Sequence, residues 1–423
     1  MSDGDELQPD DVEVESAEVE PIEAPAPVPP LRLREPLPPV TDTPAALAEV
    51  CARVMAGTGP VALDAERASG YRYSQRAYLV QLRREGSGSA LVDPIAFDDL
   101  TSLDTAIGDA EWILHAARQD IPCLAEVGLH PAALFDTELA GRLLNLPRVG
   151  LAALVEHYLG LSLAKEFSAV DWSTRPLPEP WLEYAALDVE VLVEMRNLIH
   201  DDLERTGKLA WALEEFHALL SFTGPRERDE PWRRTSGIHK ARGRRALAVV
   251  RSLWLTRDAI ASDRDITPGR ILPDTSILEI ASDPPQNYTA LKELRVMRGR
   301  GPRRFLDQWQ DAVDLALSLP EADLPTATQR HEGPPPPRAW AEKNPDAAAR
   351  LGRCREIIAA LGEQHDIPAE NLLTPSVMRQ LAWEPPKPVS PATVGDVLEA
   401  HGARPWQVAL VAGPFAQALV DQA

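Results

Sequence analysis

Val61-Ala62-Leu63-Asp64-Ala65-Glu66 is the stretch from which the rest of the chain can be read. Three apolar residues followed by alternating acids describe a buried strand that ends in two carboxylates. Strand side chains at i and i+2 share a face, so Asp64 and Glu66 point together. Outward from it, Tyr78-Leu79-Val80-Gln81-Leu82 and Ala90-Leu91-Val92-Asp93 read as two further strands across Gly- and Ser-containing turns, so the first three strands meander. Trp112-Ile113-Leu114-His115 is a fourth short strand, a helical segment begins near Gln119, and Leu134-Phe135 marks a fifth strand. From Thr137 to Phe222 helical periodicity is nearly unbroken, with interruptions at Pro147 and Pro176-Leu177-Pro178. The pattern predicts an α/β domain over 41–222.

Beyond it the strands stop. Gly224-Pro225 opens a charged hinge, helical patterns run from Ile238 to about Leu319, and a Pro-rich linker over 320–337 precedes a last helical stretch over 338–423. The two helical regions, 223–319 and 338–423, are related: Asp265-Ile266-Thr267-Pro268-Gly269-Arg270-Ile271-Leu272 recurs as Asp366-Ile367-Pro368-Ala369-Glu370-Asn371-Leu372-Leu373, at a constant offset of 101. At the other end, residues 1–40 are acidic and then Pro-rich, with too little apolar content to offset ordering entropy, and disorder is expected there.

The chain's 423 residues suggest two or three domains, and 44% hydrophobic with 26% charged residues is ordinary for a globular protein. No apolar run approaches the roughly 18 to 20 residues of a membrane span, and no signal peptide opens the chain, so no membrane partner and a cytoplasmic location are expected. Cys51, Cys123 and Cys354 are scattered and lack any CxxC pair, which supports neither disulfides nor zinc and leaves them as small buried hydrophobes. The formal charge of −22 is unevenly placed. Ten acids and no Lys or Arg occupy residues 1–30, whereas 226–310 holds 18 Lys and Arg against 11 Asp and Glu. A basic module therefore sits inside an acidic chain, and Lys240, Arg242, Arg244, Arg245, Arg298, Arg300, Arg303 and Arg304 are its candidate RNA-binding residues, against the alternative of a solvated helix face.

The chemistry is carried by acids. Asp64 and Glu66 share a strand face. Asp120 follows a strand at the start of a helix, where it serves either a site or an N-cap. Tyr184 and Asp188, at i,i+4, share a helix face. Four carboxylates in an α/β domain suit a pair of hard divalent cations, which take oxygen ligands and clamp the attacking and leaving oxygens of a phosphoryl displacement. No phosphate-cradling glycine loop or dinucleotide fingerprint is present, and His115 has no second His at ligand spacing.

In their order these segments resemble the tyrosine-bearing subclass of the DEDD 3′ to 5′ exonucleases, the ribonuclease D branch. The resemblance rests on Val61 to Glu66, Leu114-His115-Ala116-Ala117-Arg118-Gln119-Asp120 and Tyr184-Ala185-Ala186-Leu187-Asp188, with Phe135-Asp136-Thr137 and Asp171 to Leu177 as connecting segments. It implies a ribonuclease H-like α/β exonuclease fold, followed by all-α bundles that resemble the helicase and ribonuclease D C-terminal (HRDC) domain. The first bundle carries that resemblance at Trp254-Leu255-Thr256-Arg257 and Ile271-Leu272-Pro273. The family further implies two divalent cations, Mg²⁺ or Mn²⁺, with Asp64, Glu66 and Asp188 holding one, Asp64 and Asp120 the other, and Tyr184 orienting the attacking water. The implied substrate is RNA, with tRNA precursors and other structured 3′ ends as the class. A non-catalytic RNA-binding adapter and a DNA exonuclease remain as alternatives. One departure stands out: Arg67 follows the first Glu where the family usually has an aromatic that packs on the terminal base. Tyr71 or Tyr73 is a candidate substitute for that stacking.

Overall fold

The alternation at Val61–Glu66 is realised as the central strand of a six-stranded sheet. A computed structural model describes residues 28–164, 166–226, 228–327 and 333–420. The strands are β1 (Val40–Thr41), β2 (Thr58–Arg67), β3 (Ala77–Glu85), β4 (Gly88–Val92), β5 (Glu111–Leu114) and β6 (Ala133–Asp136), in the order β1-β4-β3-β2-β5-β6. β2, β3 and β4 meander antiparallel, while β5 and β6 join parallel to β2, as βαβ crossovers require. Val61, Ala62, Leu63, Leu79, Val80 and Leu82 are fully buried because helices cover both faces.

Those helices are α1 (Pro44–Ala56), α2 (Thr101–Ile107), α3 (Ile121–Glu126), α4 (Thr137–Leu143), α5 (Leu151–Leu159), α6 (Glu179–Glu190), α7 (Leu192–Arg205) and α8 (Leu209–Leu219). α6 packs across β2, β3 and β4, and α7 across β2 and β5. The continuous helical run expected from Thr137 to Phe222 is broken more deeply than its prolines suggested: the described residues of 160–178 carry no regular helix. Gly160 ends α5 in the left-handed region, and Trp172 anchors the irregular segment by full burial. Arg175, in the connecting segment Asp171 to Leu177, is a staple. It forks onto Asp93 (2.6 and 2.7 Å) and donates to the carbonyls of Tyr78, Trp172 and Thr174.

The disorder expected over residues 1–40 lies mostly outside the described residues, but 28–40 is ordered and corrects that reading. Leu31 N–H donates to the Ser162 carbonyl and Ser162 N–H to that of Pro29, both at 2.8 Å. Leu31 is buried, Leu33 and Leu37 pack beside α6, and the Arg34 side chain pairs with Glu194. Three leucines spaced through a proline-stiffened strand supply the apolar contact, and the prolines reduce the entropy lost on ordering.

The first helical bundle comprises α9 (Gly243–Arg264), α10 (Pro268–Ile271), α11 (Asp274–Ser282), α12 (Tyr288–Glu293), α13 (Arg300–Arg303) and α14 (Leu306–Ser318). The second comprises α15 (Trp340–Lys343), α16 (Pro345–His365), α17 (Ala369–Leu372), α18 (Pro375–Trp383), α19 (Pro391–Ala400) and α20 (Pro405–Leu419). α9, α10 and α11 end at residues 101 positions before the ends of α16, α17 and α18, so the sequence repeat is a repeat of structure. None of the described helices is long and apolar enough to cross a membrane.

Both bundles dock on the exonuclease domain through the same repeat position. α9 and α16 each end in an aspartate in the left-handed region, Asp265 (φ 46°) and Asp366 (φ 51°), a conformation that Asp tolerates better than most residues. The Asp265 carboxylate accepts from Tyr73 N–H (3.1 Å), Ser74 N–H (2.8 Å) and the Tyr78 hydroxyl (3.3 Å). Asp366 accepts from the Asn145 side chain (2.6 Å), and its carbonyl takes the Lys208 ammonium (2.7 Å). The surroundings differ. The second bundle shares one apolar core with the exonuclease domain, and Trp406 stacks on Trp211 at 5.0 Å, whereas the first bundle has its own core. Docking of the first bundle therefore leans on polar contacts. In Asp265→Gly, which keeps the left-handed turn and removes the carboxylate, amide exchange at Tyr73 and Ser74 is expected to accelerate by about 10- to 100-fold, as loss of hydrogen bonds to a charged group implies. Protection in α16 should not change. Unaltered exchange at Tyr73 and Ser74 would show that the aspartate does not hold the interface.

Candidate active site

The edge of the sheet at the end of β2 opens into a cleft of about 560 Å³ lined by Asp64, Glu66, Asp120, Tyr184 and Asp188, with Arg67 and His115 beside them. All five predicted site residues thus meet in one place. Oxygen atoms of Asp64, Glu66 and Asp188 lie within 4.8 Å of one another. Glu66, Asp120 and Asp188 are buried and Asp64 is half-buried.

Each side chain is brought there by a local device. β2 delivers Asp64 and Glu66 on one face. Opposite Asp64 in the β2–β3 ladder stands Gln81, fully buried, whose amide donates to Asp64 Oδ2 at 2.6 Å. After β5 the chain turns sharply at Ala116, a non-glycine residue at φ 58°, and this turn carries Asp120 into the cleft. Such a conformation costs on the order of 1–3 kcal/mol and needs outside support. Asp136 supplies it, with carboxylate oxygens accepting from Ala116 N–H (3.1 Å), Ala117 N–H (2.9 Å), Glu138 N–H (2.9 Å) and Leu139 N–H (3.1 Å). The N-cap alternative for Asp120 is resolved: it precedes α3, but its side chain makes no cap hydrogen bond. On α6, Tyr184 and Asp188 share a face as their spacing required, and both line the cleft. His115 Nδ1 lies 2.9 Å from the Thr137 hydroxyl, consistent with a structural residue beside the cleft.

The electrostatics follow from crowding. Burial raises the Asp64, Asp120 and Asp188 carboxyls above their ordinary range, and the charge of Asp64 pushes Asp120 and Asp188 further. Glu66 is pushed up to about 10 by burial and by Asp64, Asp188 and Asp120. Burial and then Asp188 raise the Tyr184 phenol, so it stays protonated throughout the physiological range. A donor set made only of carboxylate oxygens, clustered, buried and mutually repelling, fits hard divalent cations, because these ligands must be ionised to bind and bound charge relieves their repulsion.

Two residues of the site escape sequence reasoning, Gln81 and Asp136. A lone amide in an otherwise apolar strand needs a buried partner, and that was the available signal for Gln81. Tyr71 and Tyr73, the candidate stacking residues, face the first bundle instead: the Arg270 guanidinium lies 4.1 Å over the Tyr71 ring, and the Tyr73 hydroxyl donates to Asp258. Arg244 and Arg245, expected to track RNA, are engaged elsewhere. Arg244 donates to the carbonyls of Leu324 and Pro325, and Arg245 to those of Ala316, Leu317 and Leu319 at the end of α14, where a cation meets the carbonyl end of the helix. Lys240, Arg242, Arg298, Arg300, Arg303 and Arg304 are exposed. Cys51, Cys123 and Cys354 are free thiols, the latter two buried, as expected.

Family models match three segments of the chain. A 3′-5′ exonuclease model matches residues 39–204, an HRDC model residues 246–313, and a 3′ to 5′ exonuclease C-terminal domain model residues 333–419. A ribonuclease D from Gluconacetobacter diazotrophicus is 32% identical over 332 residues, covering 77% of this chain and 81% of the relative. The chain belongs to the ribonuclease D family. A ribonuclease D from Granulibacter bethesdensis is 31% identical over 72% of this chain and 76% of its own. Among solved structures, a protein from Bifidobacterium adolescentis superposes with a TM-score of 0.85 at 40% identity, over 92% of this chain and 98% of its own. Escherichia coli ribonuclease D, described as an exoribonuclease involved in structured RNA processing, gives 0.62 at 26% identity, over 86% and 99%. As a ribonuclease D the chain is a 3′–5′ exoribonuclease, and exonucleases of this family depend on divalent metal.

Two substitutions separate holding the acids from being one of them. A carboxyl with a folded pKa above its unfolded value takes up a proton on folding, so Glu66 destabilises the metal-free protein progressively as pH rises from about 4.5 toward about 10. Glu66→Gln removes that penalty. Metal-free melting temperature is therefore expected to rise near pH 8 and to depend less on pH, while stabilisation by added Mg²⁺ or Mn²⁺ disappears. Gln81→Leu leaves all four acids in place and is expected to weaken metal affinity about 10- to 100-fold, the usual effect of losing a partner behind a ligand. Melts titrated with metal read both. A Glu66→Gln protein stabilised by metal as strongly as the wild type would remove Glu66 from the donor set.

Proposed function

We propose that this ribonuclease D hydrolyses the 3′-terminal phosphodiester of structured RNA in the cytoplasm, tRNA precursors included, using two divalent cations, Mg²⁺ or Mn²⁺. The observation that carries the reading is the convergence of Asp64, Glu66 and Asp188 within 4.8 Å, with Asp120 and Tyr184 in the same cleft. Asp64, Glu66 and Asp188 would hold one cation, and Asp64 and Asp120 the other. Bound there, such ions acidify a water and stabilise the attacking and leaving oxygens of an in-line displacement. Tyr184, kept protonated by its surroundings, positions the water through its hydroxyl rather than removing a proton. Gln81 and Asp136 keep Asp64 and the Ala116 turn in place.

On 5′-labelled strands the protein should generate a ladder shortened from the 3′ end in Mg²⁺ or Mn²⁺ and none in chelator, with RNA cut faster than DNA. Asp64→Asn, Asp120→Asn and Asp188→Asn should each abolish the ladder in folded protein. Faster cutting of DNA would make this a DNA exonuclease, and a ladder in chelator would overturn the cation reading.

For RNA away from the cleft, we propose the exposed side chains Arg298, Arg300, Arg303 and Arg304, which form no ion pair with a described residue, together with the exposed Lys240 and Arg242 just before α9. The exposed ring of Tyr288 borders the groove that includes Arg298 and Arg303 and offers a stacking surface. The second bundle is a diverged copy of the first by its repeated helices. Replacing Arg298, Arg300, Arg303 and Arg304 with Ala should flatten the log K against log salt slope by about 0.7 for each single-strand phosphate that the protein no longer neutralises. An unchanged slope would assign the cluster to something other than the RNA backbone.

A further inference from the structure

Arg67 is the one Arg or Lys among the described residues that line the acidic cleft. It is half-buried, and no hydrogen bond or ion pair from the described residues engages its guanidinium. Four carboxylates share this cleft. Arg67 pairs with none of them, although its charge reaches them: against the dominant effect of burial it lowers the Asp64, Glu66 and Asp120 carboxyls. Its position has a local cause. The β2–β3 ladder slips after Glu66, with Glu66 opposite Leu79 and Arg67 opposite Ala77. Irregularities of this kind re-aim side chains, and Arg67 lines the same cleft as its neighbours Asp64 and Glu66.

From this placement we propose that Arg67 is a substrate-binding residue whose guanidinium takes a non-bridging oxygen of the phosphodiester at the RNA 3′ end. The proposal rests on reading the cleft as the hydrolytic site. The substrate brings a phosphate into a space walled by acids, and an unengaged planar fork of N–H donors is the group suited to receive it. Arg67 follows Glu66 on the strand that delivers Asp64 and Glu66, so its charge enters the cleft from the strand that carries two of the four acids.

Arg67→Met, Arg67→Lys and Arg67→Phe on a short single-stranded RNA in Mg²⁺, with salt varied, decide the matter. Removing the guanidinium in Arg67→Met is expected to lower kcat/KM about 10- to 100-fold, as for a charged hydrogen bond, and to flatten the salt slope by about 0.7, one phosphate. Arg67→Lys should recover most of both and Arg67→Phe neither. Recovery by Phe and not by Lys would make Arg67 a base-stacking residue and overturn the proposal. So would an Arg67→Met protein whose salt slope is unchanged and whose only defect is metal affinity, because that is the behaviour of a counterion to the acids. Asp188→Asn, run alongside, keeps the two readings apart: if it retains activity the hydrolytic assignment of the cleft fails, whatever Arg67 does.

Discussion

Gathering four carboxylates around one cleft sets Coulomb repulsion against the frame that holds them. Two unit charges 4 Å apart repel by about 4 kcal/mol at an effective dielectric constant near 20, which compares with the total stability of many domains. Burial first, and this repulsion after it, raise the Glu66 carboxyl. Side chains under such a load swing outward unless each is tied, and the surrounding structure reads as a set of ties. β2 is clamped between β3 and β5 with its apolar residues fully buried, Gln81 pins Asp64 across the ladder, and Asp136 gathers four backbone N–H groups to keep the left-handed turn before Asp120. The apparent waste of buried polar groups in this sheet is what keeps the acids together.

The helical bundles are attached by unequal means, and the difference follows from composition. Where the second bundle meets α8, Trp211 and Trp406 stack and the two apolar cores merge. Where the first bundle meets the loop before β3, polar contacts dominate: Asp265 accepts from the N–H groups of Tyr73 and Ser74, and Thr267 N–H and the Arg270 guanidinium donate to the carbonyls of Tyr71 and Gly70. A merged core separates only by exposing apolar surface, whereas hydrogen bonds exchange readily with water. The bundle that carries the exposed arginines is thus the one held by the more exchangeable contacts.

Features set by spacing along the chain were legible in the sequence. The i,i+2 acids of β2, the i,i+4 pair of α6, the five main strands and the repeat at 101 residues all depend on local periodicity, and the structure brings the five site residues together. Features set by long-range partners were not. Nothing near Arg244 and Arg245 announces that the end of α14 will use them, and the order of residues 28–40 depends on Ser162 and α6, far along the chain. Asp136 reads as a connector because its work is done on N–H groups 19 and 20 residues upstream. The break in helix among the described residues of 160–178 is hidden from periodicity for a related reason: Phe167, Val170 and Trp172 pack against α6 and against the sheet, far along the chain, rather than on a helix of their own.

A chain of net charge −22 that binds a polyanion is consistent once distance is considered. Exposed charges more than about 8 Å apart are largely screened at physiological ionic strength, so the net charge of the whole chain does not decide what the arginines of the first bundle attract. Inside the cleft screening is weak, and there the signs oppose binding: four acids meet an incoming phosphate with one arginine in attendance. Cations and the RNA 3′ end must then favour each other, because each relieves a repulsion that the other suffers, and such coupling is reciprocal by thermodynamic necessity. An RNA held elsewhere on the surface has no reason to approach the acids alone, and entry becomes favourable only with the charge that hydrolysis also requires.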